Sequence, residues 1–124
     1  MHASAVVLVA AGGALGALAR YAVSRALETA GGSFPIATLA VNLSGALLLG
    51  FLSVWLVDRI EVTPAVRNGI NGGFIGAYTT FSTLSVEAVT LTQSGRSGQA
   101  LAYIAVSLAG GLALAWLGQR LAQG

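Results

Sequence analysis

The sequence predicts an all-α membrane protein: four transmembrane helices, the third broken at mid-membrane, paired as an antiparallel dual-topology homodimer. Three observations carry this. The chain of 124 residues is 56% hydrophobic and only 8% charged, whereas charged residues normally make up about a quarter of a water-soluble domain. Its apolar residues fall into four runs of helix length. Inside the third run, residues 72–85 read Gly-Gly-Phe-Ile-Gly-Ala-Tyr-Thr-Thr-Phe-Ser-Thr-Leu-Ser, a glycine group followed by hydroxyl side chains that a lipid-facing helix does not need.

The first helix is expected from Ala3 to Val23, the second from Ile36 to Val57, the third from Pro64 to Leu91 and the fourth from Gln99 to Leu117. At 1.5 Å per residue the second measures about 33 Å, matching a hydrocarbon core of about 30 Å. No cleavable leader is expected, because the first apolar run begins at once and continues into a full span. Ser33 before Phe34-Pro35 and Thr63 before Pro64 each place a capping hydroxyl ahead of a proline, the signature of a helix start. Residues 94–98, Ser-Gly-Arg-Ser-Gly, form a polar turn before the fourth helix. Trp55 and Trp116 fall near helix ends, where amphipathic rings anchor at the interface.

Composition also excludes functions. Without cysteine there is no disulfide or thiolate metal site. Six arginines against four acids, with no lysine, are too sparse for a nucleic-acid-binding face. No nucleophile, base and orienting group stand at suggestive spacing, so an enzyme is not expected.

Four short helices hardly enclose a guarded pathway, so an oligomer is expected. Gly12 with Gly16, Gly13 with Ala17, Ala46 with Gly50 and Gly111 with Ala115 have the spacing of close helix contacts. Arg59, Arg67 and Arg120 would lie on one side of the membrane and Arg20, Arg25 and Arg96 on the other. Three against three gives no positive-inside bias, so the chain can insert both ways and pair as an antiparallel homodimer.

A pause in the third helix between Gly76 and Thr80 would bring two helix ends together near mid-bilayer. The first leaves carbonyls without partners, Ile75 and Gly76 among them, as hard donors for an alkali cation. The second offers N–H groups, with Thr79, Thr80, Ser82 and Thr83 to cap it or line a cavity. The competing reading is tight packing by the glycines, with hydroxyls returned to carbonyls one turn back. Asn42 with Thr38, and Tyr103 with Ser107 and Gly111, form polar stripes on the second and fourth helices. Asn42 is open to helix glue or to a pathway role. Arg20 is open to snorkelling or to an anion vestibule, and Glu87 to a wet vestibule or an arginine partner.

The segment from Gly72 to Thr83, with Gly13-Ala-Leu-Gly-Ala-Leu-Ala-Arg-Tyr21 in the first helix and Asn42, Ser44 and Gly45 in the second, resembles the Fluc (CrcB) fluoride channels of microbes. That resemblance covers nearly the whole chain. It implies a passive fluoride channel in the bacterial inner membrane, a dual-topology homodimer with two pores and a central structural sodium ion (Na+). The backbone carbonyls of Gly76 and Thr79 would bind sodium together with the same pair from the partner. Phe81 would turn a ring edge to fluoride and Asn42 an amide N–H, with Thr80, Ser82 and Thr83 beside them. Tyr103 and Ser107 would continue the polar track, and Arg20 would close the motif of the first helix. Two places depart from the family pattern: Leu84 stands where a second phenylalanine is expected, and Gly111 where a hydroxyl is expected. The alternative of a small coupled exporter of the multidrug-resistance type calls for a glutamate in the first helix, which holds no acid.

Overall fold

A computed structural model describes residues 2–28 and 33–124. Among the described residues the regular structure is entirely helical. Helix α1 is Ala3–Ala26 and α2 is Ile36–Asp58. The third span is in two pieces. Its first piece, α3, covers residues 64–78 and changes pitch along its length: an α-helical turn Pro64–Arg67, a π-helical segment Asn68–Ile75 and a closing α-helical turn Gly76–Tyr78. Its second piece, α4, is Phe81–Gln93, and α5 is Ser97–Gln123. Three of these, α1, α2 and α5, are each long and apolar enough to span a bilayer, and α3 with α4 makes the broken span. The chain is a multi-pass membrane protein.

The expected helix bounds hold to within three residues except at the end of the last helix, and one expected cap is absent. Thr63 caps α3 by accepting the Val66 N–H at 3.3 Å, with Pro64 in the first helical position. Ser33 does not cap α2. Pro35 occupies the cap position without a side-chain bond, and the Ile36 N–H turns back onto the Phe34 carbonyl at 2.9 Å. The last helix also runs beyond the expected Leu117 to Gln123. Its final turns carry Gln119, Arg120 and Gln123, which continue the helix into the polar zone. Arg120 there lies over the Trp116 ring, 5.6 Å from its centroid, and Trp55 stacks on Phe51 at 5.8 Å.

Close backbone approach sets the packing. α1 lies against α3, and a Cβ on Gly12 or Gly16 would collide with the carbonyls of Gly69 and Phe74. In the same way α2 lies against α5, where a Cβ on Gly50 would collide with the Ala115 carbonyl and one on Gly118 with that of Leu47. Membrane helices gain little from burying apolar surface out of lipid, so contact depends on such shape fit. The small residues Gly12, Gly16 and Gly50 thus serve contacts within the chain. Gly111 has open space where its side chain would be. A side-chain cluster of Leu84, Ala88, Leu91, Ala100 and Tyr103 ties α4 to α5, with Phe34 and Leu39 packed against it.

Candidate functional site at the helix break

Between Tyr78 and Phe81 the backbone leaves the helix. Thr79 (φ −86°, ψ 160°) and Thr80 (φ −151°, ψ 117°) are both extended. Each backbone group released by this break needs a new partner in a lipid-surrounded protein. The Thr79 N–H and its hydroxyl both donate to the Ile75 carbonyl at 3.1 Å. Ile75 is therefore not the free carbonyl expected of it: the extended Thr79 still reaches one turn back. Thr80 is served by α2. Its N–H donates to Asn42 Oδ1 at 2.8 Å, and its carbonyl accepts from Asn42 Nδ2 at 3.0 Å. One carboxamide thus replaces both helical partners of Thr80.

Thr80 also caps α4. Its Oγ1 accepts the Thr83 N–H at 3.3 Å and donates to Thr83 Oγ1 at 2.9 Å, satisfying a donor of the new helix end. The two diversions have a common result. An unbroken helix would send the Thr80 N–H to the Gly76 carbonyl and the Thr83 N–H to the Thr79 carbonyl. Asn42 takes the first donor and the Thr80 hydroxyl takes the second, so both carbonyls lose their helical partners. The Thr79 carbonyl shares a planar peptide unit with the Thr80 N–H and points the opposite way. By holding that N–H toward α2, Asn42 turns the Thr79 carbonyl away from it. Gly76 is exposed and Thr79 half-exposed. Carbonyl oxygens without hydrogen-bond partners are hard donors of the kind that alkali cations take.

Beside the break lies a cavity of about 340 Å³ lined in part by Arg20, Tyr21, Ser24, Thr38, Thr80 and Thr83. Among the described residues the ion pair is the exposed Arg25–Glu28, 3.4 Å apart. Arg20, which lines the cavity, has no carboxylate within ion-pair distance among them. Phe81 is 77% exposed and Ser82 is exposed beside it, and neither lines this cavity.

The polar residues of α5 do not line this cavity. Tyr103 is fully enclosed and donates to Glu87 Oε1 at 3.1 Å. Phe34 meets its ring edge-on, 5.5 Å between centroids and 72° between planes. Glu87 has this tyrosine, not an arginine, as its partner. Ser107 Oγ and Asn71 Oδ1 are buried and have no hydrogen-bond partner among the described residues. Leu84, three residues after the exposed Phe81, turns inward and is 9% exposed within the α4–α5 cluster.

Two features escape a reading of sequence alone. One is the π-helical stretch, for which Asn-Gly-Ile-Asn-Gly-Gly from residue 68 is only a general sign of weak α-helix formers. The other is a hydrogen bond between Ser44 and Tyr78 at 2.9 Å, which joins residues 34 positions apart and has no local signature.

Known proteins share this arrangement of sequence. The family described as CrcB-like protein, Camphor Resistance (CrcB), matches residues 7–119. A protein of Listeria innocua called fluoride-specific ion channel FluC 2 is 48% identical over 108 residues, 87% of this chain and 82% of the relative. A protein of the same name from Symbiobacterium thermophilum is 49% identical over 115 residues, 92% of this chain and 94% of the relative. The fluoride-specific ion channel FluC of Hahella chejuensis is 50% identical over 104 residues, covering 83% and 82%. These are names of channels, not of enzymes. The match along residues 7–119, with relatives near half-identical over most of both chains, shows that the protein belongs to the CrcB family.

Proposed function

We propose that the chain is a passive fluoride-selective channel that exports fluoride across the bacterial inner membrane. The single observation that carries this reading is the Asn42–Thr80 clamp. It stabilises a break that offers carbonyls on one side and the free N–H groups of a helix start on the other. Fluoride is small and strongly hydrated, so a selective path must replace its water with close donors. Candidate donors are the second N–H of Asn42, the hydroxyls of Ser82 and Thr83, the first N–H groups of α4 and the ring edge of Phe81. The unpartnered hydroxyl of Ser107 has a proton to give, and Tyr103 belongs to the same polar track beside it. Arg20 raises the potential of the cavity at one mouth and draws anions to it.

The channel is read as an antiparallel homodimer with two pores. The carbonyls of Gly76 and Thr79 would hold a sodium ion together with the equivalent pair of a second copy, because two oxygens from one subunit are too few for an alkali cation. The ion would supply a fixed positive charge between the pores. Exposure of Gly76, Thr79 and Phe81 on a single subunit supports this pairing. Conduction needs no energy input: fluoride trapped by ionisation of hydrogen fluoride in a near-neutral cytoplasm leaves down its gradient.

The test is fluoride efflux from liposomes carrying the purified protein, with a potassium ionophore to balance charge and a fluoride electrode as detector. Rapid release compared with protein-free liposomes is expected. Release no faster than from empty liposomes would sink the proposal.

A further inference from the structure

The closing turn of α3 has few bonds of its own. After the π-helical segment only Gly76–Tyr78 remains, and the Thr80 N–H that would have extended it is held by Asn42. Tyr78 ties this turn to α2. It is 9% exposed, its ring stacks on Phe74 with centroids 6.2 Å apart and 14° between planes, and its hydroxyl lies 2.9 Å from Ser44 Oγ. Ser44 has one proton, and its Oγ also lies 3.2 Å from the Val41 carbonyl. With that proton on Val41, Ser44 accepts and Tyr78 donates. Gly45 leaves the room this needs. A Cβ there would collide with the Thr79 methyl and come within 3.4 Å of Tyr78 Cδ2.

Helix α2 therefore holds both sides of Thr79, Asn42 taking the residue after it and Ser44 the residue before it. Each clamp governs one freed carbonyl. The Asn42 clamp fixes the peptide plane that carries the Thr79 carbonyl. The Ser44 clamp fixes the turn that carries the Gly76 carbonyl. We infer that Tyr78 and Ser44 are positioning residues for the cation site: their hydrogen bond sets the spacing of the Gly76 and Thr79 carbonyls with which sodium is bound. Neither hydroxyl touches the ion. The inference rests on the reading of those two carbonyls as sodium ligands.

The test measures thermal melting of the purified full-length protein at increasing sodium, with N-methylglucamine chloride replacing it to constant ionic strength, alongside fluoride efflux in the same ions. Ion binding to the folded state raises the melting temperature as the ion saturates. Tyr78→Phe keeps the stack on Phe74 and removes only the hydroxyl. Loss of one hydrogen bond corresponds to a rise of about three- to ten-fold in the sodium concentration for half-maximal stabilisation. Ser44→Ala should give the same rise, the double variant no more than either, and Ser44→Thr, which keeps a hydroxyl, a value near the native one. A melting temperature lowered equally with and without sodium, or an unchanged half-saturation in Tyr78→Phe, would overturn the inference. If the native protein shows no response to sodium, the cation reading of Gly76 and Thr79 falls, and this inference falls with it. A sodium-responsive native protein whose variants keep the native half-saturation sinks the inference alone.

Discussion

Asn42 and Thr80, 38 positions apart, hold each other by two hydrogen bonds of 2.8 and 3.0 Å. The carboxamide pairs with both backbone groups of one residue, as a neighbouring strand would, and so makes an extended residue tolerable inside a membrane helix.

Replacing Asn42 should therefore damage the protein in two ways. Asn42→Ala leaves a half-buried N–H and carbonyl of Thr80 open, each costing up to about 1–3 kcal/mol. Asn42→Asp restores the acceptor for the Thr80 N–H but sets an oxygen against the Thr80 carbonyl. Fluoride efflux in liposomes is expected to fall at least about ten-fold in both, the equivalent of about 1.4 kcal/mol. Asn42→Asp carrying native flux would show that the donor is dispensable.

If the proposed role of Arg20, its charge on the cavity, is right, its effect should depend on salt. With a Debye length of about 30 Å at 0.01 M and about 8 Å at 0.15 M, exposed charge is felt further at low ionic strength. Arg20→Gln is expected to slow efflux several-fold at low salt and less at high salt, while Arg20→Lys stays close to native. Equal slowing by Arg20→Gln at every ionic strength would point to a packing role.

Leu84 lies in the α4–α5 cluster with Tyr103 and Ala88. Leu84→Phe adds volume to a packed interior, which costs about 1–3 kcal/mol. The melting temperature is expected to drop with no gain in fluoride efflux. Faster efflux with an unchanged melting temperature would mean that position 84 faces the pathway.

Gly16 and Gly111 separate packing from open space. A methyl on Gly16 would strike the Phe74 carbonyl, whereas one on Gly111 meets nothing within 4 Å. Gly16→Ala should abolish monodisperse protein in size-exclusion chromatography, and Gly111→Ala should leave elution and melting unchanged. Elution of Gly16→Ala at the native position would show that α1 can move away from α3 at little cost.

Much of the fold was open to reading along the chain because membrane helices declare themselves by length and composition. Ile36–Asp58 differs from its expected bounds by one residue. Thr63-Pro64 marks a helix start by local chemistry alone. The break was legible as well, since glycines and threonines at residues 72–83 are poor helix formers set where a helix is required. The partners of the break were not. Thr79 reaches back to Ile75, so the carbonyl expected to be free is taken. Glu87 pairs with Tyr103, 16 positions away, where an arginine was equally compatible with the sequence.

The sequence by itself determined that this protein lives in lipid, that its third span is interrupted and which residues supply polar groups near the interruption. These follow from hydrophobicity, helix propensity and capping, which act between near neighbours. Only the tertiary structure decided that Asn42 takes both backbone groups of Thr80, that Ser44 meets Tyr78, and that Leu84 turns inward while Phe81 turns out. Hydrogen bonds and packing contacts between helices depend on rotation and depth of each helix against the next. Those are set by where glycines let two backbones touch, a property of the pair of helices and of neither alone.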